Sequence, residues 1–349
     1  MSLSNGPAGG QPSPLEALEK QGAPYPPQYA ALGGEPTTSV DVPISAVFIL
    51  IFILSAALNM TIFRLNMARG HKFILSAVVF GFSMARILTN VMRIAWACRP
   101  HNGRIAIAAS IFTNAGVVLL FIVNLILAQR LLRAHQPRLG WSQPVRLAFR
   151  GLFVCVVSCL VMIIIAVVYS FYTLDVDTLR RVHDVLLFGI TFLVVLAFLP
   201  VPIIAVALLL PRSEPVDGFG TGSMRTKILL VLFTSVLLTF GGGFRAAAAY
   251  VTRPLADPAW IDHRAIFYCV NFTIEIIVVF TYALARFDRR FYIPNGSCRP
   301  GDYSRGAGAE AEKAAVSDEE QRQTSAGAAA AGEGAESRLP DEHDEQEAV

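Results

Sequence analysis

Seven charged or amide side chains lie in the predicted outer half of long apolar runs of this 349-residue sequence, where they would face the hydrocarbon core of a membrane. They are Arg86, Asn90, Arg93, Asn114, Arg245, Asn271 and Glu275. A charge near the bilayer centre costs about 2.5–3.5 kcal/mol even on the lenient insertion scale, so such side chains face partners or a water-filled cavity. These seven residues are therefore the first candidates for a binding site.

Helical spacing places several of these side chains on common faces. Arg86, Asn90 and Arg93 stand at i, i+4 and i+7, and Asn271 and Glu275 at i and i+4. Residues with these spacings share one face of a helix. The single carboxylate of Glu275 then faces several arginine guanidinium groups. This excess of positive charge favours a pocket for an anionic or zwitterionic headgroup, and the expected partners are membrane lipids. The alternative is interhelical contact, with Arg86 paired to Glu275 and Arg93 extended to the lipid headgroups.

Three histidines at the ends of predicted loops offer a second constellation, namely His101, His183 and His263. A membrane zinc hydrolase would use three such ligands and leave one position open. No two of these histidines have the spacing of a helical metal site, and no metalloprotease, phosphate-loop, nucleophile-elbow or dinucleotide motif occurs. The residues therefore predict no enzyme, no metal and no cofactor, with the zinc hydrolase as an alternative.

The composition indicates which elements position these side chains. Apolar residues make up 54% of the chain and charged residues 16%, whereas soluble domains average about 25% charged residues. Seven apolar runs follow one another, and each is long enough for a bilayer core, which needs roughly 20 helical residues. The sequence predicts an all-α fold, a seven-transmembrane helix bundle over residues 42–285. The runs are 43–63, 73–96, 105–129, 152–172, 185–210, 228–251 and 265–285.

The flanking segments differ in composition from the bundle. Residues 1–41 contain seven prolines and six glycines, and residues 301–349 carry a net charge of −9, so both are predicted to be disordered tails. Residues 286–300 place Phe287 and Phe291 four positions apart among arginines, which predicts an interfacial amphipathic helix. Cys298 is a candidate for palmitoylation and Ser317 for phosphorylation.

The basic residues of the chain form no stripe that alternates with aromatic residues, so no nucleic-acid partner is expected.

The stretch 71–137 carries a resemblance to a known family. Its blocks are MAR (84–86), RIAW (93–96), RPHN (99–102), NAG (114–116) and NL (124–125). This stretch resembles an uncharacterised family of seven-span membrane proteins from filamentous fungi, sometimes labelled "family-c-like", and the similarity covers about residues 43–295. That family carries no established activity. The layout is also similar, in topology only, to fungal lipid-translocating exporters.

The function expected from these features is that of a multi-pass membrane protein, a non-enzymatic sensor or transporter-like protein for a lipid or small amphiphile. Helix irregularities would permit motion, namely Pro200 and Pro202 in the fifth run and the glycines 241–243 in the sixth. The alternatives are a G-protein-coupled-type receptor, the zinc hydrolase and a structural membrane organiser. Basic inner loops suit the receptor, but Cys98 has no second outer-loop cysteine for a disulfide.

Basic residues indicate the orientation. The loops after the first, third and fifth runs, together with residues 286–305, hold 16 Lys and Arg, whereas residues 1–42 and the other three loops hold 7. Because cytoplasmic loops carry the excess of basic residues, we expect an extracellular N-terminus and a cytoplasmic C-terminus in the plasma membrane.

This orientation predicts which end of the chain a protease can reach. A protease added to intact protoplasts should remove an N-terminal tag and spare a C-terminal tag, as read by immunoblot. Removal of the C-terminal tag alone would contradict the orientation.

Overall fold

The computed structural model describes residues 20, 22–25, 32–211, 215–251, 253, 257 and 259–304. Within these residues all regular secondary structure is helical, and seven helices are long and apolar enough to cross a membrane. The predicted all-α, seven-helix fold is confirmed. The helices are α1 (Asp41–Ala68), α2 (Ile74–Cys98), α3 (Gly103–His135), α4 (Gln143–Ser170), α5 (Val176–Leu209), α6 (Met224–Tyr250) and α7 (Arg264–Leu284).

Three of the seven helices are irregular. The helix α3 consists of Gly103–Ala115 and Val118–His135, and α5 consists of Val176–Phe198 and Pro200–Leu209. Proline has no backbone N–H and cannot continue the hydrogen-bond pattern, which explains the interruption of α5 at Pro200. In α7, the π-helical segment Tyr268–Thr273 precedes the α-helical segment Ile274–Leu284.

The glycines 241–243 lie within the continuous helix α6. They therefore do not break the helix, and two of them permit close packing. A Cβ on Gly241 would lie 3.3 Å from the carbonyl oxygen of Val270 in α7, and a Cβ on Gly242 would contact Val194 in α5. The run thus permits close packing and is not the helix irregularity that the sequence predicts.

The helix α3 lies at the centre of the bundle. It contacts α2, α4, α5 and α6, and its residues Leu120, Val123 and Leu127 are fully buried. The helices α1 and α4 instead expose large apolar side chains such as Leu54 and Ile165. These exposed faces are typical of helices that contact lipid.

The chain before α1 packs on the bundle at the end where α1 begins, which we call the N-terminal side. The Gly33 amide donates to the carbonyl of Asp262 at 2.9 Å, and the Tyr25 amide to that of Phe171 at 2.8 Å. Asp41, the first residue of α1, is fully buried. Described parts of the predicted N-terminal tail, at Tyr25, Gly33 and Asp41, therefore contact the bundle. Residues 1–19, 21 and 26–31 lie outside the described part of the chain.

The opposite end, which we call the C-terminal side, is closed by the chain after α7. A helical turn, Phe287–Arg290, follows α7, and Phe287 and Phe291 are fully buried. The Phe287 ring lies 5.1 Å from that of Phe73 and 5.0 Å from that of Tyr282. The prediction of an interfacial helix is wrong here, because both phenylalanines pack inside the protein.

The packed chain continues to Ser304. The Asp217 carboxylate accepts hydrogen bonds from the amides of Gly301 and Ser304, at 3.0 and 2.9 Å. The Cys298 thiol is exposed. Its palmitoylation stays a prediction. Residues 305–349, with Ser317, lie outside the described residues.

The burial of Phe287 predicts a large effect of its truncation. Phe287→Ala should lower the free energy of unfolding by about 3–5 kcal/mol, because it leaves a cavity among packed aromatic rings. SDS titration of the detergent-purified protein measures this change. The control is Phe188→Ala, which truncates a side chain that is 64% exposed. Equal, small effects of the two substitutions would place Phe287 at the membrane surface instead.

Candidate functional site

A buried ion pair between Arg86 and Glu275 joins α2 to α7. The Arg86 Nε donates to Glu275 Oε2 at 2.6 Å, and Nη2 donates to Oε1 at 2.5 Å. The exposed fractions of the two side chains are 0% and 2%. This two-point contact is the strongest geometry that an arginine and a carboxylate can adopt. The pairing of Arg86 with Glu275, which the sequence predicts as the alternative to a pocket, is thus present.

The third nitrogen of the Arg86 guanidinium bonds to α3. Its Nη1 donates to the carbonyl oxygens of Thr113 at 2.9 Å and Phe112 at 3.3 Å. Carbonyls are accessible there because α3 is interrupted after Ala115. A Cβ on Gly116 would lie 3.2 Å from the Arg86 Cζ, so the glycine makes room for the guanidinium. Arg86 therefore holds three helices together.

A second guanidinium approaches the same carboxylate from α6. The Arg245 Nη1 lies 3.6 Å from Glu275 Oε1, and the Arg245 side chain is 10% exposed. This nitrogen is buried and has no hydrogen-bond partner among the described residues. Two positive groups thus share one negative group that Arg86 already holds through both oxygens.

Asn271 lies one turn before Glu275, in the π-helical segment of α7. Its side chain is fully buried, and neither its Nδ2 nor its Oδ1 has a hydrogen-bond partner in the described part of the chain. Segments of π-helix are rare and occur frequently at functional sites. We call Arg86, Arg245, Asn271 and Glu275 the polar layer.

The amides of Asn90 and Asn114 bond within their own helices. The Asn90 Nδ2 donates to the Arg86 carbonyl at 2.9 Å, and the Asn114 Nδ2 donates to the Ser110 carbonyl at 3.0 Å. The buried Asn90 Oδ1 has no partner within the described residues. Asn114 is only half-buried. These two residues thus share the region of the polar layer without a contact to its charges.

Arg93 belongs to a separate cluster on the N-terminal side. Its Nε and Nη2 donate to the Asp41 Oδ1 at 3.1 and 2.9 Å, and Nη2 also donates to the Gly33 carbonyl at 2.8 Å. The Tyr268 hydroxyl donates to the same Asp41 oxygen at 2.8 Å. The prediction that Arg93 extends to the headgroups is wrong, because the arginine is buried with its own carboxylate.

Sequence reasoning missed Asp41 because it assigned residues 1–41 to a tail. The available signal was its position, directly before an apolar run, where acidic residues favour the first turn of a helix. Arg264 also approaches Asp41, with its Nε 3.7 Å from Oδ2.

Sequence reasoning also missed a polar cluster around Asn124 on α3. The Tyr282 hydroxyl and the Thr234 hydroxyl donate to its Oδ1 at 2.5 and 2.9 Å, and its Nδ2 donates to the Ser235 hydroxyl at 3.2 Å. This cluster joins α3, α6 and α7 with its amide bonded through both atoms. It is interhelical contact of the ordinary kind.

Two open cavities lie away from the polar layer. One, of about 710 Å³, is lined by residues 22–24 and 98–104 on the N-terminal side. The other, of about 450 Å³, is lined by apolar and tyrosine side chains of α4. The predicted electropositive cavity at the polar layer stays a prediction.

The predicted histidine constellation does not assemble. Within the described residues, no group of three His, Cys, Asp or Glu side chains could hold a metal ion. The His263 Nδ1 instead accepts the amide of Ala265 at 3.3 Å, at the start of α7. The zinc hydrolase alternative, with His101 and His183 as its other ligands, therefore has no ligand set here.

The ion pair predicts coupled stability effects. Glu275→Gln should lower the free energy of unfolding by about 3–5 kcal/mol, because it leaves two buried guanidinium groups without a carboxylate. Arg86→Met should also lower it, but by less, because Arg245 remains 3.6 Å from Glu275. The double variant should lose less than the sum, and SDS titration of all four proteins measures the coupling. Additive losses would show that the two side chains do not interact in the folded protein.

The comparisons with known proteins match one part of the chain. Residues 220–292 match a family described as a protein of unknown function (DUF3112). This segment contains α6, α7 and the turn after α7, and hence Arg245, Asn271 and Glu275 but not Arg86. Neither the curated proteins nor the solved structures contain a match. The chain is thus similar to this family over the two helices that carry three of the four residues of the polar layer.

Proposed function

We propose that this multi-pass membrane protein binds the anionic headgroup of a lipid or small amphiphile at the polar layer, as a non-enzymatic sensor or transporter-like protein. The observation that carries the proposal is the set of buried polar atoms without hydrogen-bond partners among the described residues, namely Arg245 Nη1 and both amide atoms of Asn271. A buried polar atom without a hydrogen bond destabilises the fold by about 1–3 kcal/mol.

The charge balance favours an anionic ligand. Arg86 and Glu275 neutralise each other, so Arg245 adds one positive charge that no second carboxylate of the described residues balances. Uncompensated charge inside a membrane is expensive. A phosphate or carboxylate would neutralise this charge and accept a hydrogen bond from Arg245. The Asn271 amide could donate a further bond to it.

The position of the layer favours an amphiphile. The polar layer lies between helices whose outer faces would contact lipid, so a ligand with an apolar chain can place its headgroup inside. The seam between α6 and α7 is built around Gly241, and a Cβ on Gly243 would have no neighbour within 4 Å in the described part of the chain. Small residues at this seam let the two helix backbones approach closely, and the space beside Gly243 leaves room for an apolar chain.

We further propose a location in the plasma membrane. The distribution of Lys and Arg among the loops supports an extracellular N-terminus. The resemblance of residues 71–137 supports a source among filamentous fungi.

Native mass spectrometry of the detergent-purified protein tests this function. The wild type should retain a phosphate- or carboxylate-bearing lipid, and Arg245→Met should lose about 10–100-fold in affinity, because a hydrogen bond to a charged group contributes about 1.5–3 kcal/mol. The matched control is Arg253→Met, which removes an arginine whose side chain is 54% exposed. Thermal unfolding with added phosphatidic acid gives the same comparison quantitatively.

A layer that only joins helices would give a different result. If the layer only joins helices, the wild type will carry no bound lipid, and Arg245→Met will raise the thermal stability by removing an uncompensated charge. That pair of outcomes would contradict the proposed function.

A further inference from the structure

A second set of polar groups lies on the C-terminal side, at the opposite end of the bundle from Arg93 and Asp41. Its centre is Tyr303, which is 1% exposed. The Tyr303 ring lies 5.6 Å from the ring of Trp141, and the Arg133 Cζ lies 4.5 Å from the Trp141 ring centroid. We call Arg133, Trp141 and Tyr303 the C-side cluster.

Local backbone geometry brings this cluster together. A short helical turn, Pro137–Gly140, follows α3 and precedes Trp141. A Cβ on Gly140 would lie 2.6 Å from the Arg133 Cα, so only glycine lets the turn fold back so closely. The Trp141 ring can therefore cover the guanidinium of Arg133.

Each member of the C-side cluster has a buried polar atom that can donate a hydrogen bond. The Trp141 Nε1 lacks a hydrogen-bond partner within the described chain, and neither the Arg133 Nε nor the Tyr303 hydroxyl makes a hydrogen bond of ordinary length and angle there, although Arg133 lies near the phenol. Burial raises the pKa of Tyr303, although Arg133 and Arg130 act in the opposite direction. The phenol is therefore protonated at neutral pH and can act as a donor.

Arg130 acts on Tyr303, and further positive charges lie on the same side of the bundle. Arg130 donates to the carbonyl of Phe291 at 2.5 Å, Lys227 to that of Phe219, and Arg290 to that of Ala285 at 2.6 Å. A carbonyl satisfies the hydrogen bond but leaves the positive charge uncompensated.

The carboxylates of this region are already bonded elsewhere. Asp217 accepts the amides of Gly301 and Ser304, and Asp302 accepts those of Cys298 and Arg299. Asp288 is held by Arg286 and Asn66. Bonds from backbone amides leave the negative charges of Asp217 and Asp302 in place, and Asp217 acts on Tyr303. These two charges are outnumbered by those of Arg130, Arg133, Lys227 and Arg290, so the region combines buried donors with excess positive charge.

We propose that the C-side cluster is an oxyanion site that binds a phosphate group. The guanidinium and indole N–H groups and the phenol O–H of these three residues would donate to its oxygens. The phosphate belongs either to a lipid of the adjacent leaflet or to a free phosphate ion. This site is independent of the proposed function, since it shares no residue with the polar layer.

Fluorescence of Trp141 provides a direct readout. The chain has three tryptophans, so Trp96→Phe and Trp260→Phe together leave Trp141 alone. Inorganic phosphate, added to the full-length protein in detergent, should change its emission with saturation, whereas chloride at equal ionic strength should not. In nanodiscs, a change with phosphatidic acid but not phosphatidylcholine, without free phosphate, identifies the lipid as the source. A response to free phosphate in both kinds of nanodisc identifies the ion.

Tyr303→Phe in the same background tests the assignment to residues, because it removes the hydroxyl and keeps the ring. It should weaken the phosphate response about 10-fold. The matched control is Tyr172→Phe, at a tyrosine that is 50% exposed, which should leave the response unchanged.

Two results would overturn the proposal. One is the absence of any phosphate-dependent or phosphatidic-acid-dependent change in the Trp141 emission. The other is a Tyr303→Phe protein that is more stable than its parent and responds equally to phosphate, because removal of a merely unbonded buried hydroxyl is neutral or stabilising. Thermal unfolding of Trp141→Phe, which removes the indole N–H, provides the independent measurement: its stabilisation by phosphate should be reduced.

Discussion

The bidentate contact between Arg86 and Glu275 is the interaction on which the arrangement of the bundle depends. A guanidinium in the hydrocarbon layer is tolerable only if charge and hydrogen bonds are satisfied nearby. Glu275 satisfies two nitrogens of Arg86, and the Thr113 carbonyl satisfies the third. Because these groups come from α7 and α3, the pair fixes α2, α3 and α7 against one another. The interruption of α3 beside Gly116 follows from the same contact, since it exposes carbonyls and removes a side chain where the guanidinium lies.

The same face of α2 also explains why the chain before α1 is part of the bundle. Arg93 lies two turns beyond Arg86, and its charge requires a second carboxylate. Asp41 supplies this carboxylate from the first turn of α1, and the Gly33 carbonyl supplies a further acceptor. An aromatic contact connects the two levels, because the Phe272 ring lies 5.4 Å from Phe267, which stacks on Arg93, and 5.6 Å from the Arg86 guanidinium. Burial of one arginine thus orders a segment that composition alone assigns to a tail.

The sequence predicts those features of the structure that depend on the composition of a single segment, such as its length of apolar residues or its charge. Seven helices follow from the length of seven apolar runs, and the Arg86–Glu275 pair follows from the presence of a single carboxylate within those runs. The sequence does not predict contacts that depend on how the chain returns to the bundle. Phe287 and Phe291 have the spacing of a membrane-surface helix, yet the short turn after α7 directs both into the core. The π-helical segment at Asn271 has no sequence signature, because it reflects the fit of α7 against α1, α2 and α6.

Two buried asparagines support the proposal that the polar layer binds a ligand. Asn124 and Asn271 are 1% and 0% exposed, and both lie inside the bundle. Asn124 is bonded through both amide atoms, so its burial cost is offset and its contacts join three helices. Asn271 has neither bond among the described residues, and an apolar side chain there would remove that cost without loss of an interhelical bond. The unpaired amide stands one turn before Glu275, where two arginines face one carboxylate, in the only π-helical segment of the described chain. A polar, anionic ligand resolves both deficits at once, and a role in packing resolves neither.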